Sequence, residues 1–87
     1  MTGRVKTPAD KYLEMGVGFA GEERFAEAER AYRTATELDP KNPWAWSLLG
    51  KVLHENLDRR DEAEQANRRS LSIDHEIAWI SDRLDAL

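Results

Sequence analysis

The chain has 87 residues, of which 40% are hydrophobic and 34% charged, with no cysteine and a net charge of −4. This composition is that of one ordinary folded domain; it excludes disulfides, thiol chemistry and cysteine-based zinc sites, and it disfavours general nucleic-acid binding, which needs a positive surface. The N-terminus lacks the apolar core of a signal peptide and no apolar run approaches the about 20 residues that cross a bilayer, so we expect a cytoplasmic protein.

The first predicted element follows a polar stretch, residues 1–7, which we interpret as a flexible tail. Thr7 is a suitable N-cap, Pro8 suits the first helical position, and Asp10 can return a hydrogen bond to the cap. Helix one is therefore expected over residues 8–20. Its apolar spacing of three and four residues places these side chains on one inward face: Tyr12, Met15, Gly16 and Phe19.

Helix two is expected over residues 24–38, after a turn at residues 21–23. Its predicted buried face is Phe25, Ala28, Tyr32, Ala35 and Leu38. The small residues Gly16 and Ala28 would let two antiparallel helices approach closely. Because a glycine costs about 1 kcal/mol inside a helix, we attribute Gly16 to packing.

A second hairpin begins after Pro40, which stops helix two. Asn42 is a good N-cap and Pro43 fits the first helical position, so helix three is expected from residue 43 to residue 56 or 57. Its inward residues are Trp46, Leu49, Gly50 and Leu53. Helix four is expected over residues 59–72 with Asp58 as its cap, and its inward residues are Ala63, Ala66, Ser70 and Ile73.

A short last helix is expected over residues 75–87, with Asp74 as its cap. Its apolar stripe consists of Ile77, Ile80, Leu84 and Leu87. Half of this helix is polar, as expected of a helix that covers the end of a stack of repeats. We interpret it as a capping helix over the second hairpin.

The two hairpins repeat at a measurable spacing. Pairs 34 residues apart are Tyr12 and Trp46, Met15 and Leu49, Gly16 and Gly50, and Phe19 and Leu53. The spacing becomes 35 from Ala28 to Ala63, so one residue is inserted before Ala63, most simply in the turn. Two helices per 34 residues, with this order of large, small and proline positions, resemble the tetratricopeptide repeat family. The second copy departs from the family pattern at Asn67, Ser70 and His75.

The resemblance implies an all-α, right-handed α-α superhelix of two helical hairpins plus a C-terminal capping helix. One domain would span residues 8–87, with repeat one at 9–42, repeat two at 43–77 and the capping helix at 75–87. It also implies a non-catalytic module without cofactors, in which the first helix of each pair lines a concave groove that binds a peptide or partner protein.

Helical spacing gives the groove-facing set, which is Asp10, Leu13, Glu14, Val17, Trp44, Ser47, Leu48, Lys51, His54 and Glu55. For Trp44, groove contact and simple packing stay open, while packing is favoured for Trp79. The alternative function is a self-associating structural subunit, a homo-oligomer formed through the groove or the C-terminal end. Some family members bind a C-terminal carboxylate through a clamp of asparagines and basic residues. The clamp positions here hold Leu13, Val17 and Leu48, so we predict no such clamp.

Polar residues on helices three and four invite three other interpretations. Ser47 and His54 are about 10 Å apart along one helix, too far for a nucleophile and its base. His54 and Asp58 have metal-ligand spacing, but no further cluster completes a site, so no metal is expected. Helix four has four arginines, Arg59, Arg60, Arg68 and Arg69, but acidic residues are interleaved with them. We therefore expect a salt-bridged outer face that contacts neither nucleic acid nor membrane.

Overall fold

The computed structural model describes the backbone of residues 7–85 and the side chains of residues 7–74. Within this range the chain is all-helical, with α1 (Pro8–Gly21), α2 (Phe25–Leu38), α3 (Pro43–Glu55) and α4 (Arg60–Asp85). α1 packs against α2 and α3 against α4, while α2 also packs against α3 and so joins the hairpins. The predicted all-α repeat of helical hairpins is confirmed. Residues 1–6 of the predicted tail lie outside the described residues.

Both hairpins begin with the caps that the sequence predicts. Thr7 Oγ1 accepts a hydrogen bond from the Asp10 amide at 3.2 Å, and the Asp10 carboxylate accepts one from the Thr7 amide at 3.1 Å. At the second hairpin, Asn42 Oδ1 accepts from the Trp44 amide at 3.0 Å, and Pro43 occupies the first turn. Each cap satisfies an amide that the helix itself leaves unpaired, and is worth about 1 kcal/mol.

The inserted residue lies in the turn of the second hairpin. The Arg24 amide donates to the Phe19 carbonyl at 2.8 Å, and the equivalent bond runs from Arg59 to Leu53 at 2.9 Å, so one turn is a residue longer than the other. Each turn contains a residue with positive φ, Glu23 at 63° and its equivalent Asp58 at 53°. The prediction of Asp58 as the N-cap is wrong, because α4 begins only at Arg60 and Asp58 forms the left-handed turn.

The core lies between the hairpins and is built largely from small and aliphatic residues. The larger cluster contains Ala28, Tyr32, Leu49, Val52, Leu53, Ala63 and Ala66. A smaller cluster joins one alanine from each of three helices, Ala9 of α1, Ala35 of α2 and Ala45 of α3. Alanines at these crossings let the helix axes approach closely, so the small residues position the hairpins as much as the large ones do.

Gly16 has the packing role that its sequence position predicts. It is buried on α1, and a Cβ added to it would lie 2.6 Å from Cδ1 of Tyr32, which is 3% exposed. Gly50 of α3 has the equivalent relationship with Asn67 of α4. In each hairpin the two helices therefore meet where a glycine of the first helix faces a larger side chain of the second, Tyr32 or Asn67.

Two predicted inward residues are exposed. Met15 is 49% exposed, although its equivalent Leu49 is 2% exposed, because α2 covers the face of the second hairpin and nothing in the described chain covers the first. Leu38 is 51% exposed, since it is the last residue of α2 and the chain turns away at Asp39.

The C-terminal end differs from the prediction of two helices. α4 is one continuous helix over Arg60–Asp85, so no break occurs at Asp74 and a separate capping helix at 75–87 is wrong. No glycine or proline occurs within α4, so no strong helix breaker interrupts it near Asp74. The predicted stripe from Ile77 onwards, and Trp79, lie outside the described side chains. No helix in the described residues is both long and apolar enough to cross a membrane.

Candidate functional site

α1 and α3 border a small surface hollow. It has a volume of about 170 Å³ and is lined by Val17, Ala20, Tyr32, Leu48, Lys51, Val52 and Asn56. We call it the α1–α3 hollow. The structure brings together three residues of the predicted groove set here, Val17 from α1 and Leu48 and Lys51 from α3. Three of the predicted groove residues thus lie around one hollow, and the groove as a binding surface stays a prediction.

The chemistry of the α1–α3 hollow is mixed. Val17 is 54% exposed and Leu48 is half-buried against the core, so both offer apolar surface. Lys51 and Asn56 are exposed and add a positive charge and an amide at its edge. Burial raises the pKa of the Tyr32 phenol, which therefore stays neutral. The hollow can accept an apolar side chain and pair an acidic group beside it.

Trp44 and Ser47 belong to a different hollow, between α3 and α4. Its volume is about 240 Å³, and it is lined by Pro43, Trp44, Ser47, Ser70 and Asp74. Trp44 is 69% exposed, so packing within the domain leaves most of its ring accessible. The Ser70 hydroxyl donates to the Pro43 carbonyl at 3.0 Å and ties α4 to the start of α3.

The other predicted groove residues line neither hollow. Leu13 packs against both core clusters, which makes it chiefly structural. Asp10 uses its carboxylate in the cap of α1. Glu14, His54 and Glu55 are exposed on their helices. Seven of the ten predicted groove residues are exposed, and Asp10, Leu13 and Leu48 are half-buried. Their role in a groove stays a prediction.

Sequence spacing missed part of the lining. Tyr32, Val52 and Asn56 contribute to the α1–α3 hollow although none of them was in the predicted set. Val52 and Asn56 follow Leu48 at helical spacing, which is the signal that could have found them.

Of the four arginines predicted to lie on a salt-bridged face, Arg59, Arg60 and Arg68 form ion pairs. Arg59 Nη1 contacts Glu29 of α2 at 2.7 Å, and Arg59 Nη2 contacts Glu62 at 2.6 Å. Arg33 closes a ring by donating to Glu29 at 2.7 Å and to Glu62 at 2.6 Å. We call these four residues the charge ring. It joins the two hairpins, and sequence analysis missed it because the partners are far apart along the chain.

Contacts within the charge ring shift the pKa values of two of its members, Arg59 and Glu62. The hydrogen bond to Glu62 raises the pKa of Arg59, and the same bond, followed by that to Arg33, lowers the pKa of Glu62. Both shifts follow from stabilising the charged forms. Among the described residues, no group of three or more histidines and acidic residues is placed to hold a metal ion.

A protein-family model, the TPR repeat, matches residues 22–56, which run from the start of the first hairpin turn to the end of α3. The chain belongs to the tetratricopeptide repeat (TPR) family. A peroxisomal targeting signal receptor from Kluyveromyces lactis is 33% identical to it over 66 residues. That match covers 74% of this chain and 12% of the receptor, so the chain spans a small part of that relative. No solved structure matches the chain significantly.

Membership of the TPR family defines the class of function. TPR repeats form protein–protein interaction modules, and the family is typically non-catalytic. This TPR domain is accordingly a module of that class.

Proposed function

We propose that this TPR domain binds an extended segment of a partner protein across the face that α1 and α3 share. The α1–α3 hollow is the observation that carries the proposal. Val17 and Leu48 supply apolar walls for an aliphatic side chain, and Lys51 supplies a cation for an acidic residue beside it. Trp44 is exposed on the same helix as Leu48 and provides a second, aromatic contact.

The family relationship supports the same role. The Kluyveromyces lactis relative is by its name a receptor for a targeting signal, and the segment it shares with this chain covers most of the domain. We propose that this domain likewise acts by recognition, without catalysis or a cofactor, and in the cytoplasm. The alternative is self-association through the groove or the C-terminal end.

The bound segment is internal to its protein under this proposal. The positions that would form a carboxylate clamp hold Leu13, Val17 and Leu48, and apolar side chains give a free C-terminal carboxylate no hydrogen bond. Affinity therefore comes from the partner's side chains. Peptides that differ only in a free or an amidated C-terminus are expected to bind equally well.

Fluorescence anisotropy with labelled synthetic peptides tests the proposal. The probes contain an aliphatic residue next to glutamate, and matched probes replace that glutamate with lysine. Val17→Asp should weaken binding about tenfold, because it places a carboxylate in the hollow. Lys51→Glu should invert the preference between the acidic and basic probes.

Gly18→Asp is the matched control, because a side chain there meets nothing within 4 Å and the position does not line the hollow. Loss of binding in the control as well would mean that added negative charge, rather than the hollow, is responsible. Unchanged affinity in both Val17→Asp and Lys51→Glu would contradict the proposed site. A probe that binds only with a free carboxylate would contradict the absence of a clamp.

A further inference from the structure

The interface between the hairpins has counterparts at both ends of the domain. Inside the domain, Glu29 and Arg33 of α2 engage Arg59 and Glu62 of the second hairpin. Residues 35 positions away repeat these types in the same order. Arg24 and Glu27 correspond to Arg59 and Glu62, and Glu64 and Arg68 correspond to Glu29 and Arg33.

The end pairs also have the conformation of the inner ones. Arg24 contacts Glu27 within α2's first turn, as Arg59 contacts Glu62. Arg68 Nη2 contacts Glu64 at 2.6 Å, as Arg33 contacts Glu29. Each end therefore presents half of a charge ring, already oriented by an intrahelical ion pair. The two halves are complementary to each other, since each holds one arginine and one glutamate, and each arginine can face the glutamate of the other half.

The apolar surface follows the same correspondence. One outer hollow, of about 250 Å³, is lined by Tyr12, Met15, Phe19, Glu27, Arg30, Ala31 and Thr34. The equivalent hollow of the second hairpin is lined by Trp46, Leu49, Leu53, Glu62, Gln65, Ala66 and Arg69, and Arg33 of α2 reaches into it. We call the first hollow, together with Arg24, the N-terminal face. Within the described chain, nothing covers it as Arg33 covers the equivalent hollow.

The opposite end carries an unexpected apolar residue. Leu71 of α4 is 68% exposed, whereas its equivalent in α2, Thr36, is 6% exposed under the second hairpin. Leu71 lies near Glu64 and Arg68 on the same helix, and we call these three residues the C-terminal face. Stacking of another hairpin would bury this position. The large apolar side chain of Leu71 is therefore better suited to a protein contact than to solvent.

We propose that a second copy of this chain docks its C-terminal face on the N-terminal face, head to tail, and reproduces the inner hairpin interface. Glu64 of one copy then pairs with Arg24 of the next, and Arg68 pairs with Glu27. Leu71 takes the place of Thr36 against the neighbouring α1. Because the contact is heterologous, both ends remain open and assemblies grow beyond a dimer.

Two charge-exchange variants test the register of this contact. Variant one carries Arg24→Glu and Glu27→Arg, and variant two carries Glu64→Arg and Arg68→Glu. Each exchange keeps its own intrahelical ion pair and the net charge, so folding is preserved. Each variant alone places like charges opposite one another in the proposed contact. An equimolar mixture restores opposite charges at every contact between alternating copies.

Sedimentation equilibrium measures the outcome. The wild-type chain should gain mass with concentration from about 10 µM to about 1 mM at low salt, as expected of a small polar interface. At about 1 M salt, where the Debye length is about 3 Å, the gain should diminish. Variants one and two should each associate about tenfold more weakly, and their mixture should recover the wild-type behaviour.

Arg60→Glu with Asp61→Arg is the matched control. It exchanges two charges at the start of α4, where Ala26, the equivalent of Asp61, stays exposed beside the neighbouring hairpin. This variant should associate like the wild type. Val17→Asp should do so too, which separates this contact from peptide binding in the α1–α3 hollow.

Three results would overturn the proposal. The first is a wild-type chain that is monomeric over the whole concentration range. The second is association that survives in both exchange variants alone, which would indicate another surface. The third is a mixture that fails to associate although circular dichroism shows both variants to be folded.

Discussion

Gly50 and Asn67 lie so close that a Cβ on Gly50 would be 2.9 Å from Cγ of Asn67. The equivalent pair in the first hairpin is Gly16 and Tyr32, where the added Cβ would be 2.6 Å from ring atom Cδ1. The two contacts differ in what can move. The Tyr32 ring is buried in the core, whereas the Asn67 side chain is exposed and can rotate away.

Replacing Gly16, Gly50 or Gly18 with alanine should therefore change the stability of the domain by three different amounts. Gly16→Ala should destabilise the domain by about 1–3 kcal/mol, because the buried Tyr32 ring has nowhere to go. Gly50→Ala should be less destabilising than Gly16→Ala, since the Asn67 side chain can rotate away and the Ala63 carbonyl, 3.3 Å from the added Cβ, needs to move only slightly. Gly18→Ala should stabilise by up to about 1 kcal/mol, because its Cβ meets nothing within 4 Å. Urea unfolding of the three variants measures the order, and a destabilising Gly18→Ala would contradict it.

Asn67→Tyr should strengthen the second hairpin. Tyr32 shows that an aromatic ring packs on the glycine of the partner helix, and Asn67 leaves the same place over Gly50 to an exposed amide. A ring there would bury additional apolar area, worth about 1 kcal/mol at partial burial. Thermal unfolding should shift upward by several degrees relative to wild type. Asn67→Ala is the control and should leave the midpoint nearly unchanged; an equal gain in both would rule out the ring as the cause.

Thr7→Ala should destabilise the domain by about 1 kcal/mol, because it removes the side-chain half of the capping box with Asp10. Thr7→Ser keeps a hydroxyl and should retain most of the stability. Chemical denaturation monitored by circular dichroism gives both values. If serine proved as costly as alanine, the hydroxyl would not be what stabilises the start of α1.

Protonation of Glu62 should lower the stability of the folded domain as the pH falls. Folding lowers the pKa of Glu62, first through its hydrogen bond to Arg59, so the unfolded chain binds the proton more tightly. The contribution of this group is therefore present above the ordinary carboxyl pKa and is lost as pH falls through the lower folded value. Glu62→Gln should be less stable at neutral pH and lose less on acidification than the wild type.

Glu37→Gln is the control for that experiment, because Glu37 is an exposed glutamate outside the charge ring. Its stability should follow the wild-type dependence on pH. Denaturant midpoints at neutral and acidic pH compare the three proteins. Parallel curves for Glu62→Gln and the wild type would mean that the ring contributes nothing to the acid response.

The caps, turns and inward faces were predictable because they are local. Thr7 and Asn42 cap within three residues, Pro40 ends α2 before the second hairpin, and the inward face of α4 from Ala63 to Ile73 follows from helical spacing alone. These features depend on neighbours one turn away, so a sequence contains all the partners that matter. One error was local, since Asp58 has the residue type of an N-cap but forms the left-handed turn. The other errors occurred where no local signal exists. The end of α4 lacks a breaker, and the exposure of Met15 depends on a covering hairpin.

The candidate site was predictable only in part. The sequence by itself determined that the chain is a stack of two helical hairpins and that α1 and α3 each expose a mixed face. The tertiary structure alone decided that Val17 meets Leu48 and Lys51 in one hollow while Trp44 lines another. It also decided that Glu29 and Arg59 close a ring between hairpins. The reason is geometric. Both features depend on the distance and angle between helices, and these are set by packing among side chains that lie far apart in the chain.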